Sequence, residues 1–144
     1  MTKHLRWAAS LLVVFAVQAI AQEHYTEGPV WRVTLVRVKP AQMDAYLSSL
    51  RQNTKPLLDE QKRQGMIMDY KVMLKETQSR PDDWDIAVAV QYKNHAAMDG
   101  LTAKGEAIRD KVLGGKQRDQ QVAQQRTEIR EIVSSELLQE VMLK

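Results

Sequence analysis

The sequence predicts an α+β fold: a four-stranded antiparallel sheet with helices packed on one face. Two observations carry this expectation. Apolar residues alternate in four segments and recur at helical spacing between them, in the order strand, helix, strand, strand, helix, strand. The two middle strands are separated only by a short polar stretch, residues 76–83, as in an antiparallel hairpin.

The first 21 of the 144 residues read as an export signal rather than as part of the fold. Lys3, His4 and Arg6 precede an uncharged, largely apolar run, and Ala19-Ile20-Ala21 places small residues where a signal peptidase cuts. Cleavage is expected after Ala21, and the destination is periplasmic or secreted. The apolar run falls short of a comfortable span, so no stable membrane insertion is expected after cleavage. Residues 22–29 form a polar, flexible lead-in, and residues 30–144 suffice for a single domain. Loss of Lys3 and Arg6 leaves 19 basic and 18 acidic residues, a net of +1. No basic patch is concentrated enough for nucleic acid. The chain has no Cys, which excludes thiol catalysis and disulfides. Nothing in it calls for a metal or another cofactor.

Residues 30–38 place apolar or β-branched groups on both faces, as in a strand covered on both sides, and Pro40 ends it. Pro40 also suits the first turn of a helix over residues 41–64, with Met43, Tyr46, Leu47, Leu50, Leu57 and Leu58 on one side. Pro56 should kink or divide this helix near Lys55, and Gly65 should end it. Residues 66–75 alternate again, with Met66, Met68, Tyr70, Val72 and Leu74 facing one way. Residues 84–92 alternate most cleanly: Trp84, Ile86, Val88, Val90 and Tyr92 against Asp85, Ala87, Ala89 and Gln91. Asn94 suits the N-cap of a second helix over residues 95–113, which Gly114-Gly115 ends. The Gln-rich residues 116–131 read as an exposed helix, with Ile132 and Val133 continuing its apolar spacing. Residues 137–143 read as a fourth strand, in preference to a helical tail.

This order is the split βαβ pattern of a ferredoxin-like domain, whose sheet leaves one face open. In a small chain without disulfides, a second copy is the expected cover, making a homodimer. The stretch VTLVRVKPAQMDAYLSSL resembles the opening of dimeric α/β-barrel proteins: small monooxygenases, stress-responsive barrel proteins and EthD- or NIPSNAP-like domains. The later WDIAVAVQYKNHAAMDGL is similar to their third strand and second helix. The resemblance covers most of residues 30–113 and the last strand. It implies the fold and the dimer but no single activity.

For chemistry the chain offers few candidates. His95 stands where the third strand hands over to the second helix and could serve as a general base beside Tyr92. Its plainer reading is a first-turn residue at a helix N-terminus. Tyr70, Trp84 and Tyr92, with Met68, could line a cavity for a flat apolar ligand, although such residues are more often core. Asp82, Asp83 and Asp85 read as a solvated turn. Arg126 and Arg130 lie one turn apart and could clamp a carboxylate, but Glu128 and Glu131 make intrahelical pairing the plainer explanation. The leading expectation is an exported homodimer that binds a small apolar or aromatic molecule. The alternative is a cofactor-independent enzyme, monooxygenase- or isomerase-like, acting on an aromatic or enolisable substrate.

Overall fold

A computed structural model describes residues 24–144. The export signal and the cleavage point after Ala21 lie outside the described residues. Strands β1 (Tyr25–Val38), β2 (Asp69–Leu74), β3 (Ile86–Tyr92) and β4 (Arg130–Leu143) form one sheet in the order β2-β3-β1-β4. Every neighbouring pair is antiparallel. With its helices on one face, this is the ferredoxin-like α+β fold that the sequence predicts.

β1 begins at Tyr25, inside the expected lead-in, and Tyr25, Thr26 and Glu27 pair with Leu143, Met142 and Val141. The register slips between Glu27 and Val30, so Pro29, which has no N–H to donate, falls where the ladder is interrupted. Pro40 starts a turn instead of a helix. Gln42 N–H donates to the Lys39 carbonyl at 3.0 Å, and Ala41 takes a left-handed φ of 61°. That conformation costs a residue with a Cβ about 1 kcal/mol. The helix starts only at Met43.

The first helical segment has three parts: α1 (Met43–Ser49), a π-helical turn (Leu50–Thr54) and α2 (Lys55–Arg63). Pro56 sits in the first turn of α2, at the division expected near Lys55. Its ring would clash with the carbonyl four residues back in an uninterrupted α-helix, and the wider π turn accommodates it. The second segment is also divided. Asn94 Oδ1 accepts the Ala97 N–H at 2.9 Å and caps a 3₁₀ turn (His95–Met98), after which α3 runs from Leu101 to Leu113. Gly114 and Gly115, with φ of 85° and 111°, reverse the chain into α4 (Lys116–Ile129). The helix then passes straight into β4 at Arg130, so residues 130–136 belong to the strand and Ile132 and Val133 do not extend the helix.

Register sorts the side chains onto two faces. On the helix-bearing face Val30, Arg32, Thr34 and Val36 of β1 stand beside Tyr92, Val90, Val88 and Ile86 of β3. Val36 and Ile86 are fully buried against Tyr46 and Leu50. Leu58, Ile67 and Tyr92 form a second cluster with Tyr70, Met98 and Leu101 against it. The opposite face carries Trp31, Val33 and Leu35 beside Gln91, Ala89 and Ala87, flanked by Lys71 and Met73 of β2 and Glu136 and Leu138 of β4. None of the helices described is long and apolar enough to cross a membrane.

Of the three aspartates expected in a solvated turn, Asp82 is exposed, whereas Asp83 and Asp85 are bonded into the structure. Lys75 pairs with Asp83 and lies 4.8 Å from the Trp84 ring centroid. Asp85 Oδ2 accepts the Val38 N–H at 2.8 Å.

Replacing Ile86 with alanine should cost about 2–5 kcal/mol, because its site lies where the sheet and α1 meet and cannot readily collapse. Urea unfolding at fixed protein concentration is the check.

Candidate ligand-binding site

The π turn rides over the sheet, and two adjoining clefts lie beneath it with Leu50 and Thr54 in the walls of both. The first, about 290 Å³, opens towards β2 and is lined by Leu47, Leu50, Leu58, Tyr70 and Val72, with Arg51 and Lys55 at its rim. Apolar walls with a few polar groups at the edge suit a small molecule held mainly by desolvation. Tyr70 donates its hydroxyl proton to Asp59 Oδ1 at 2.6 Å, while Lys55 Nζ lies 2.5 Å from Asp59 Oδ2. The bonds from Lys55 and then from Tyr70 hold the Asp59 carboxyl below its usual range. Burial, and then the bond to Asp59, raise the Tyr70 hydroxyl above its own.

The second cleft, about 240 Å³, opens towards β4 and includes Thr34, Tyr46, Thr54, Arg126 and Arg130. Arg126 Nη2 donates to Thr54 Oγ1 at 2.7 Å, and its Nε donates to Ser49 Oγ at 3.4 Å. The Arg130 guanidinium stands 5.5 Å from the centroid of the Tyr46 ring. Burial, followed by the neighbouring charge of Arg130, pushes the Arg126 guanidinium below its usual pKa. The intrahelical pairing expected for these arginines does not form. Glu131 instead pairs with Arg37 at 2.8 Å, and no carboxylate of the described residues lies within ion-pair distance of Arg126 or Arg130.

A third cleft, about 390 Å³, lies between β1 and α3 and holds Arg32, Gln61, Tyr92, Met98 and Arg109 among its walls. The Arg32 guanidinium lies 5.4 Å from the Tyr92 ring centroid. Burial raises the Tyr92 hydroxyl, and Arg32 partly opposes the shift. Arg109 is occupied by Asp119, 3.0 Å away.

The residues expected to form one site are dispersed. Tyr70 and Tyr92 pack in one apolar cluster but open on different clefts. Trp84 precedes β3, at the far end of the strand from Tyr92. Met68 lies just outside β2 and is half exposed. His95 is exposed in the 3₁₀ turn and lines none of the three clefts. Pro56 signals a division of the first helix but not that the break is a π turn, and the link from Arg126 to Thr54, 72 residues apart, has no local signal in the sequence.

Fold and clefts together define a ferredoxin-like α+β protein with ligand-sized space between its helices and its sheet. Among solved structures, HapK from Hahella chejuensis superposes with a TM-score of 0.50 at 12% identity, over 77% of this chain and 91% of that one. A dimeric protein of unknown function and ferredoxin-like fold from Bacteroides fragilis gives 0.46 at 13% identity, over 82% of this chain and 100% of that one. A dimeric ferredoxin-like protein from an uncultured marine organism gives 0.44 at 10% identity, over 83% and 96%. At these identities the likeness is one of fold. No protein-family profile and no curated protein matches the sequence.

Replacing Tyr70 with phenylalanine removes one donor from Asp59, whose carboxyl should then titrate closer to the ordinary value. A carboxyl with a depressed folded pKa adds stability above its unfolded pKa, and loses it as pH falls through the folded one. The stability deficit of Tyr70→Phe should therefore be larger at about pH 7 than at about pH 3. NMR titration of Asp59 and urea unfolding at both pH values provide the check.

Proposed function

We propose that this chain is an exported homodimer that binds a small apolar or aromatic molecule beneath its π turn. The observation that carries the reading is the apolar cleft of about 290 Å³ between Leu47, Leu50, Leu58, Tyr70 and Val72. A wider helical turn stands over it where an ordinary helix would bring its side chains closer to the sheet. Export rests on the signal-like residues 1–21, and the lack of cysteine leaves packing to hold the mature chain together.

The second copy is argued from the open face. Trp31, Val33, Leu35, Met73 and Leu138 share it, with Met73 44% and Leu138 49% exposed. Ala87 and Ala89 lie at its middle, already buried within the single chain, so a facing sheet would rest on the larger side chains around them. Lys71, Ala89, Val33 and Glu136 form one row across all four strands, with the lysine on one edge and the glutamate on the other. A two-fold axis parallel to the strands sets β2 of one copy over β4 of its partner. Each Lys71 then meets the partner's Glu136, so the face is complementary to itself.

The alternative, a cofactor-independent enzyme with His95 and Tyr92 at its centre, gains nothing from the exposed position of His95.

Native mass spectrometry of protein purified from its own periplasm tests the reading as a whole. The expected spectrum is a dimer whose chains begin at Gln22 and which carries extra mass from a small molecule. A Val72→Trp variant, filling the cleft from the sheet edge, should remain dimeric and lose that mass. Empty monomers would overturn the proposal.

A further inference from the structure

Two guanidinium groups held together in a partly buried chamber repel one another, and each loses hydration on leaving water. Arg126 is anchored by hydroxyl oxygens of Thr54 and Ser49, which accept its hydrogen bonds and carry no charge to balance its own. Arg130 lies against the Tyr46 ring, a weaker partner than a carboxylate. None of the surrounding acids among the described residues pairs with them: Glu131 pairs with Arg37, Asp119 pairs with Arg109, and Glu128, two residues from each arginine, is exposed and forms an ion pair with neither. The position of both arginines at the end of α4 accounts for part of their tolerance, because a helix C-terminus favours cations. It does not account for both facing the same chamber, with Thr34 supplying a further hydroxyl there.

We infer that Arg126 and Arg130 bind the carboxylate of an apolar acid whose hydrocarbon part occupies the adjoining cleft of Leu47, Leu58 and Val72. This deepens the proposed function and rests on it for the apolar part alone. Leu50 and Thr54 border both spaces, so head and body would lie on either side of the π turn's inner surface. The chamber of about 240 Å³ exceeds what a carboxylate needs, and the two fork-shaped donors suit its two oxygens. A ligand with an apolar body and one negative end gains from both clefts, whereas an uncharged one gains from only the first.

Calorimetric titration with octanoate and octanol separates the two contributions, because the probes share a chain and differ in the head. The intact protein should bind octanoate at least about tenfold more tightly than octanol, as a charge-assisted bond in a partly desolvated site implies. Arg130→Gln should abolish that preference and leave octanol affinity unchanged, which also shows that the cleft is still folded. Arg126→Gln should do the same, with some loss of stability from its bonds to Thr54 and Ser49. Equal affinity for the two probes, or a preference that survives both substitutions, would overturn the anion site and leave the apolar cleft standing. Arginine-dependent binding of octanoate without any binding of octanol would support the anion site and count against the apolar cleft. Binding of neither probe would overturn both.

Discussion

β1 and β3 lie side by side at the centre of the sheet, and their antiparallel register decides which side chains can meet. Val36 beside Ile86 gives the helix-bearing face a fully buried floor on which Tyr46 and Leu50 rest. A slip of one residue would exchange Ile86 and Val88 for Ala87 and Ala89, and the helices would lose their main contact. The same register places the alanine row on the other side, beside Trp31, Val33 and Leu35. Helix packing and the open apolar face thus have one origin. Because β1 carries apolar groups on both faces, the register that buries one under the helices leaves the other without a helical cover.

The space beneath the first helical segment follows from Pro56. Relieving its clash with the preceding turn widens residues Leu50–Thr54 into a π turn, which stands over Thr34, Val36 and Val88 of the sheet. Leu50 descends into the core, while Thr54 reaches across to Arg126, 72 residues later in the chain. Local backbone chemistry in one helix therefore positions a charged group on another.

Much of the fold was legible because it is written in short-range periodicity. Residues 30–38 and 86–92 alternate, Asn94 caps the turn it precedes, and Gly114-Gly115 divides two helices. The misread boundaries have specific causes. Gly28-Pro29 looks like the end of a lead-in, yet β4 offers a ladder long enough to pair across it. Ile129, Ile132 and Val133 keep helical spacing, and no Gly or Pro marks the passage into β4, so the strand's first seven residues were not recognised. The site was far less legible. Alternation correctly put Tyr70 and Tyr92 on one face, but it could not tell which cleft each would line. Trp84 continues the alternation on paper and lies beyond the strand in space. The arginines mattered through what they do not touch, and only the folded chain reveals that Glu131 turns to Arg37.

The central claim is that the face opposite the helices belongs against a second copy of itself. Sedimentation equilibrium of the mature chain and of Leu35→Glu tests it directly, because Leu35 lies on that face and away from the Val36–Ile86 core. The expected result is a dimer for the unaltered chain and a folded monomer for the variant. An unaltered chain that stays monomeric at every concentration, or a variant that dimerises as well as its parent, would contradict it.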